Sequence, residues 1–481
     1  MKIRCLAIIM AGVLLISMIS CGVTEVPSET ETTKKDTENI TEQVTEFFPQ
    51  IEKQDYDGEV FRMIGVPEPG SWYYSEGIST EQGSTHVLNN AVYEMNCIVE
   101  EYLGVTLEYE RPENAGLGNE VFDAVLPTFM SGDDVYQLCI LHPYFGYTSF
   151  ITGNLAYDFY EMPHVDFTQD YWNEEVIDSL AINGKAFIAL GDICNYTLNM
   201  LYVNKDMLSE VGRSVPYDEV RQGKWTLDKM TALTSELYVD NGDGERNQQD
   251  VYGFACLWDA GASAFMQASG IYIVTRSEDD VFELSIYSER LENMYSKLYK
   301  WIEDESTYVW DWPNAFNESV VVDFRDSTSY VCLDILGTQY LDATFDVGML
   351  PLPKYDAAQE QYAHVNWGNN IIVPSTIKND EMVGQVLEIM SYYSKTLVQE
   401  EYYDNVLQLR VSDAPDDREM VELMYSTVVY DPGIAFCHNE PQLWNLVYLP
   451  SSAINSKTQS VSSYYERNKR GAEYSLRKLF K

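Results

Sequence analysis

The chain has 481 residues, 45% of them hydrophobic, and carries 76 Asp and Glu against 31 Lys and Arg, for a formal net charge of −45. That length exceeds one ordinary core, and at about 150 residues per domain it predicts two to four. The charge repels phosphate backbones and anionic lipid heads, which excludes nucleic acid as a partner and reads most simply as solubility on a cell exterior.

Lys2 and Arg4, the apolar run from Leu6 to Ile19 and the Ser20-Cys21 close have the order of a signal peptide over 1–20. The run is short for a bilayer span, which takes about 20 apolar residues. Met18-Ile19-Ser20-Cys21 resembles a bacterial lipobox, which implies lipidation at Cys21 and a chain held on the extracytoplasmic side of the cell membrane. Residues 21–50 are rich in Thr and Glu and nearly free of large apolar side chains until Phe47. Such a segment cannot offset its ordering entropy by burial and reads as a disordered tether.

A globular body follows. GEVFRMIGV from Gly58 reads as a strand, and the segment from Val87 sets Leu88, Val92, Met95, Val99 and Leu103 on one helical face before Gly104 stops it. VTLEYE, VFDAVLPTFMSG and YQLCIL continue as strand, helix and strand. This β-α-β-α-β order argues for a mostly parallel sheet with ligands beyond its strand C-termini. The pattern restarts with GKAFIALGD and TLNMLYVN as strands, NKDMLSEVG as a short helix and TLDKMTALTSELYVD as a longer one. In the longer helix Thr226 is placed to cap the N-terminus, and Leu227, Met230, Leu233 and Leu237 share a face. TFDVGMLPLP and NNIIVPS read as later strands; MVGQVLEIMSYYSK, QEEYYDNVLQLR and DREMVELMYSTVV read as helices.

No catalytic motif emerges. The five histidines are scattered without metal-ligand spacing, and there is no G-x-S-x-G and no phosphate-binding glycine loop. Cys97, Cys139, Cys194, Cys256, Cys332 and Cys437 show no C-x-x-C spacing, and several lie in apolar runs where a buried thiol is the simplest reading. Paired carboxylates for glycoside hydrolysis stay open, because abundant Asp and Glu make accidental candidates numerous.

LYVNKDMLSEVG (Leu201 to Gly212), KWTLDKM (Lys224 to Met230), DGERNQQDVYGF, FDVGMLPLPK, NNIIVPSTIKNDE and the YYDNVLQLR to YDPG region resemble, in that order, the extracellular solute-binding proteins of ABC importers. The resemblance spans roughly residues 56 to 440 as dispersed short motifs and implies a two-lobed α/β fold of the periplasmic-binding-protein type (type II), with a hinge and an interlobe cleft. It implies lobe 1 over 51–146 plus 369–412 and lobe 2 over 147–368 plus 413–481, with crossings near 143–150, 364–370 and 410–418. A membrane permease as partner, a small ligand, no enzymatic activity and a monomeric state go with that family reading. Alternatives are a surface protein that binds polysaccharide or peptide without transport, a sensor, and a secreted polysaccharide hydrolase.

Nine Trp and 36 Tyr fit a saccharide, whose C–H faces stack on aromatic rings while its hydroxyls take polar partners. Position narrows the ligand-binding candidates to Trp72 and Tyr73 after the first strand, His142 and Tyr144 after the third, Asn195 and Tyr196 ahead of LYVN, Trp258 and Asp259 after YGFAC, and Trp367 and Asn369 at a crossing. Separately, VDNGDGERNQQDVYGF copies much of the EF-hand pattern. Asp240, Asn241, Asp243 and Asp250 are candidate ligands for a structural calcium, although the first position holds Val239 and the last carries Asp in place of bidentate Glu. No other cofactor is expected.

Overall fold

The structure is a computed structural model that describes residues 51–65, 87–112, 119–141, 146–194, 198–247, 249–277, 281–310, 320–325, 345–366, 368–401, 415–437, 440–458 and 460–479. In chain order the strands are β1 (Val60–Ile64), β2 (Thr106–Glu110), β3 (Leu138–Leu141), β4 (Met200–Asn204), β5 (Tyr252–Leu257), β6 (Val274–Arg276), β7 (Phe282–Leu284), β8 (Thr307–Trp310), β9 (Val320–Arg325), β10 (Val347–Leu350), β11 (His364–Val365), β12 (Asn370–Ile372) and β13 (Val428–Val429). The longer helices are α1 (Val87–Leu103), α2 (Asn119–Ser131), α3 (Leu227–Thr234), α4 (Trp258–Ala268), α5 (Glu289–Ile302), α6 (Asp380–Tyr393), α7 (Pro415–Ser426) and α8 (Ser462–Leu479).

Two main sheets organise these elements. The first has the order β12-β3-β1-β2, with β1 parallel to β2 and β3, and β12 antiparallel to β3. The parallel half is what a strand-helix-strand-helix-strand sequence produces, because each helix must cross back before the next strand starts. Helix α1 buries Val92, Met95, Val99 and Leu103, the stripe its periodicity calls for, and Gly104 follows at φ +62, a conformation that a glycine adopts without strain. The second sheet has the order β10-β4-β9-β5-β8; β10, β4 and β9 alternate in direction, while β9, β5 and β8 run parallel.

Chain segments distant in sequence complete each sheet. Residues 155–190 return to the edge of the first: Tyr157 N donates to Val373 O, Ser375 N to Leu155 O, and Ala189 and Ile371 exchange both bonds at 3.1 Å. Glu388 of α6 clamps the same segment by accepting from Tyr171 Oη, from Trp172 Nε1 at 2.9 Å and from Asp166 N at 3.3 Å. Asp417 of α7 holds that helix to the second sheet through Lys205 Nζ at 2.8 Å, Tyr217 Oη at 2.5 Å and the Met349 amide at 2.8 Å. The short β11–β13 pair lies between helices, with α4 near β11 and the helix Glu174–Leu180 near β13.

Two sequence expectations need correction. GKAFIALGD is not a regular strand: its amides divide among Ile182 O, the Asp158 carboxylate, Ile371 O of β12 and Tyr171 O, and at Gly191 a Cβ would stand 2.5 Å from Tyr171 O. The helix expected from Thr226 to Asp240 ends at Thr234. Beyond it Leu237 N donates to Ser306 Oγ and Val239 pairs with Val251, so tertiary partners replace helical ones. Thr226 takes the cap position, but its hydroxyl makes no capping bond. Most of QEEYYDNVLQLR lies outside the described residues. Cys97, Cys139, Cys194 and Cys437 are free thiols, the last three buried.

Candidate functional site

Strand ends decide where a site can form. In the first sheet, β1 ends at Ile64, β2 at Glu110 and β3 at Leu141, all at one edge, where aligned carboxyl ends leave a crevice free of crossing helices. The antiparallel β12 begins at that edge, Asn370 opposite Leu141. The Ala189–Ile371 bridge delivers Gly191 to Cys194 to the same place.

Trp72, Tyr73, His142, Tyr144, Asn195, Tyr196 and Trp367 lie outside the described residues. Their described neighbours lie at or near this edge: Gly65, just past β1, precedes the first pair, Leu141 at the end of β3 the second, Cys194 the third, and Gly368, just before β12, follows Trp367. Trp258 and Asp259 open α4 directly after β5, at the carboxyl end of a parallel strand of the second sheet; their side chains also lie outside the described residues. Asn369 is buried next to Asn370. The Cys21 region likewise lies outside the described residues.

Sequence reading missed several polar groups at this edge. A Cβ on Gly65 would stand 2.2 Å from Tyr109 Oη, so the phenol lies directly over β1, and burial raises its pKa to about 12. Asn370 Nδ2 donates to Tyr430 Oη at 3.4 Å, and burial, with a smaller contribution from the nearby Tyr430, raises the pKa of Tyr147, whose ring stacks on Phe436 with centroids 5.8 Å apart. Asn370 Oδ1, Tyr147 Oη and, just before β4, Asn199 Oδ1 are buried with no hydrogen-bond partner among the described residues. Buried oxygens left unpaired are costly, so Asn370 Oδ1 at this edge and Tyr147 Oη, whose neighbour Tyr430 bonds to Asn370, point to a polar occupant of the crevice, while Asn199 stands just ahead of β4 in the second sheet. Isolated Asn and Tyr carry no sequence signal that could have singled them out.

A cavity of about 450 Å³ lies beside this edge, and its walls come from both sheets' surroundings. Asp170, Trp172 and Asp192 belong to the segment that returns to the first sheet, Glu174 and Glu175 to the helix near β13, Lys395 to the turn after α6, and Glu422 and Tyr425 to α7, which packs on β10. Five carboxylates therefore face one ammonium, which pairs with Asp170 at 3.0 Å. Desolvation raises the Asp192 pKa to about 7; Lys395 opposes the shift and Asp170 adds to it. Such walls suit hydroxyl donors or cations and disfavour anions.

The Asp240–Asp250 loop forms a third feature. Asp240, Asp243 and Asp250 offer carboxylate oxygens within 4.8 Å of one another. Asp250 is fully buried, and although desolvation alone would raise its pKa, bonds from Asn241 N, Asn247 N, Tyr238 Oη and Tyr252 Oη outweigh it and hold it low. Asp240 Oδ1 accepts from Gly242 N and Gly244 N, and Asn241 bonds through its own side chain to Asp243. The three carboxylates could supply part of the about six to eight oxygens that calcium takes. The loop joins α3 to β5 and contributes nothing to the cavity's walls.

No protein-family model matches this chain, and no curated protein matches it in sequence. Among solved structures it is similar to the ABC substrate-binding protein Lmo0181 from Listeria monocytogenes in complex with cycloalternan, at 14% identity and TM-score 0.54, covering 87% of this chain and 99% of that one. The sugar-binding protein MalE from Xanthomonas citri is similar at 12% identity and TM-score 0.60, covering 87% and 98%. The cyclic alpha-maltosyl-1,6-maltose binding protein from Arthrobacter globiformis is similar at 12% identity and TM-score 0.59, covering 88% and 100%. At such identities the likeness shows a shared fold: this chain has the two-lobed α/β fold of ABC-type solute-binding proteins.

Proposed function

We propose that this chain captures a small solute, a carbohydrate or oligosaccharide, for an ABC importer. Its lobes would close around the ligand, and a membrane permease would recognise the closed form. The observation that carries this reading is that Asn370 Oδ1 and Tyr147 Oη are buried and unpaired among the described residues beside the crevice at the carboxyl edge of the first sheet. Apolar walls with a few placed polar groups are what a sugar needs. The fold's likeness to proteins named for sugars supports the same class.

In this reading the chain is a monomer that binds and releases its ligand without transforming it, and lipid attachment at Cys21 keeps it at the membrane's outer face. We read residues 147–191 with the first lobe, a division near 192 that the bonds of residues 155–190 to β12 support. The acidic cavity spans the division, so lobe rotation would change its width. Calcium at Asp240, Asp243 and Asp250 would brace the second lobe away from the ligand. A thermal-shift series with maltodextrins, cyclic glucans and free amino acids tests the proposal: a ligand that binds only the folded state raises the melting temperature. Stabilisation by a saccharide, recovered chemically unchanged, is the expected result. Stabilisation by amino acids alone would reject the sugar, and saccharide cleavage would favour the hydrolase alternative.

A further inference from the structure

The terminal helix α8 reverses the electrostatic character of the rest of the chain. At about 100° per residue, Ser463, Arg467, Arg470, Tyr474, Arg477 and Lys478 fall on one stripe roughly 100° wide. All six are exposed, Tyr474 to 65%, while Tyr465, Asn468, Ala472, Ser475 and Leu476 form the opposite, buried face. The stripe holds four cations and no carboxylate; Glu466 and Glu473 lie on its flank. Among the described residues, Arg467, Arg470 and Arg477 have no ion-pair partner, Arg467 lies over the Tyr464 ring at 5.0 Å from its centroid, and Lys478 reaches Glu440 at 3.5 Å. The helix C-terminus accounts for favourable placement of Arg477 and Lys478, but not for Arg467 and Arg470, which lie turns away from it. In a chain with 76 acidic residues, three arginines left without a carboxylate need another explanation.

We propose that this stripe is a docking face for an anionic phospholipid surface, and that it sets the orientation of the body on the membrane. The net charge of −45 argues against spontaneous binding to such a surface. It does not decide the outcome for a tethered body, because exposed charges are screened beyond about 8 Å at physiological salt, so the face presented outweighs the total. The inference rests on the lipid attachment at Cys21 read in the proposed function, which would hold the body near the bilayer. A basic patch beside a lipid anchor supplies a second, orienting contact with an anionic surface. Arginine pairs bidentately with phosphate, and an exposed tyrosine suits the headgroup region. Each cation near an anionic surface shifts the docked-to-free ratio roughly fivefold.

The test attaches the chain from residue 21 onwards to vesicles through a lipid at that end and places a fluorophore at Ser463→Cys. A nitroxide-bearing lipid headgroup then quenches the dye only when the stripe touches the surface. Quenching is expected on phosphatidylcholine vesicles containing phosphatidylglycerol, much less on phosphatidylcholine alone, and less again as salt rises. The triple variant R467E/R470E/R477E should lower the docked-to-free ratio more than tenfold, with the triple lysine variant in between and thermal stability unchanged. A dye at the exposed Lys229→Cys on α3 should show no such response. Equal quenching on both vesicle types, or an unaffected charge-reversed variant, would overturn the proposal. So would quenching that follows protein density instead of lipid composition, which would assign the stripe to a second copy of the chain.

Discussion

Glu388 offers a sharp test of how the first sheet's returning segment is held. Its carboxylate is 4% exposed and takes bonds from Tyr171 Oη and Trp172 Nε1, both on buried residues, and from Asp166 N. In Glu388→Ala the two side-chain donors lose their acceptor inside the protein. At about 1–3 kcal/mol for each stranded donor, the expected loss is about 4 kcal/mol. Glu388→Gln keeps one acceptor oxygen but turns an amide N–H toward a donor, so about 2 kcal/mol is expected. Burial raises the Glu388 pKa, with the bonds from Tyr171 and Trp172 opposing the shift. A folded-state pKa above the unfolded one gives stability that is full below the ordinary glutamate range, about 4.3, and is lost as pH rises through the raised value. The parent's advantage over Glu388→Gln should therefore narrow as pH rises through that window. Urea unfolding of the ligand-free proteins across pH, comparing midpoints at constant slope, measures all three quantities. An alanine variant as stable as the parent, or a gap that widens with pH, would refute the reasoning.

Gly384→Ala sets helix propensity, worth about 1 kcal/mol in favour of alanine, against a Cβ that would stand 1.8 Å from Pro163 O. Because the clashing atom is backbone, α6 must move, and a net loss of about 2 kcal/mol or more is expected in the same urea assay. Lys205→Met removes the cation from buried Asp417 and should cost about 3 kcal/mol, read by urea unfolding, with ligand affinity little changed if α7 stays docked. Calcium at the Asp240–Asp250 loop predicts that a chelator lowers the melting temperature and that Asp243→Ala abolishes the chelator's effect; an unchanged melt would identify a solvated turn.

Regular elements were legible in the sequence because burial imprints a period on them. The α1 stripe, the β1, β2 and β3 runs and the glycine stop at Gly104 were all visible there. Where tertiary partners take over backbone bonds, local pattern failed: Thr234 ends α3 although Leu237 continues the period, and 182–191 spreads its bonds over several partners. Strands β8 and β9 and the helices after Val429 were not singled out. The site was legible as addresses only. Strand-end position directs the reading to the carboxyl edge of the first sheet, but Asn370 and Tyr430 meet there across 60 residues of chain and Tyr147 approaches Tyr430 from far earlier in it, relations that no local spacing records. The EF-hand-like stretch proved most useful as a marker of the turn between α3 and β5.

The proposed function requires that the crevice at the carboxyl edge of the first sheet bind a saccharide. Titration calorimetry of the full mature chain with the saccharide that most raises its melting temperature tests this directly, alongside Trp367→Ala, Trp258→Ala and Asn370→Ala. Saturable one-to-one binding is predicted, weakened about tenfold or more by each tryptophan replacement at unchanged fold, with the saccharide recovered intact. Undiminished affinity in both tryptophan variants, or no saccharide binding at all, would contradict it.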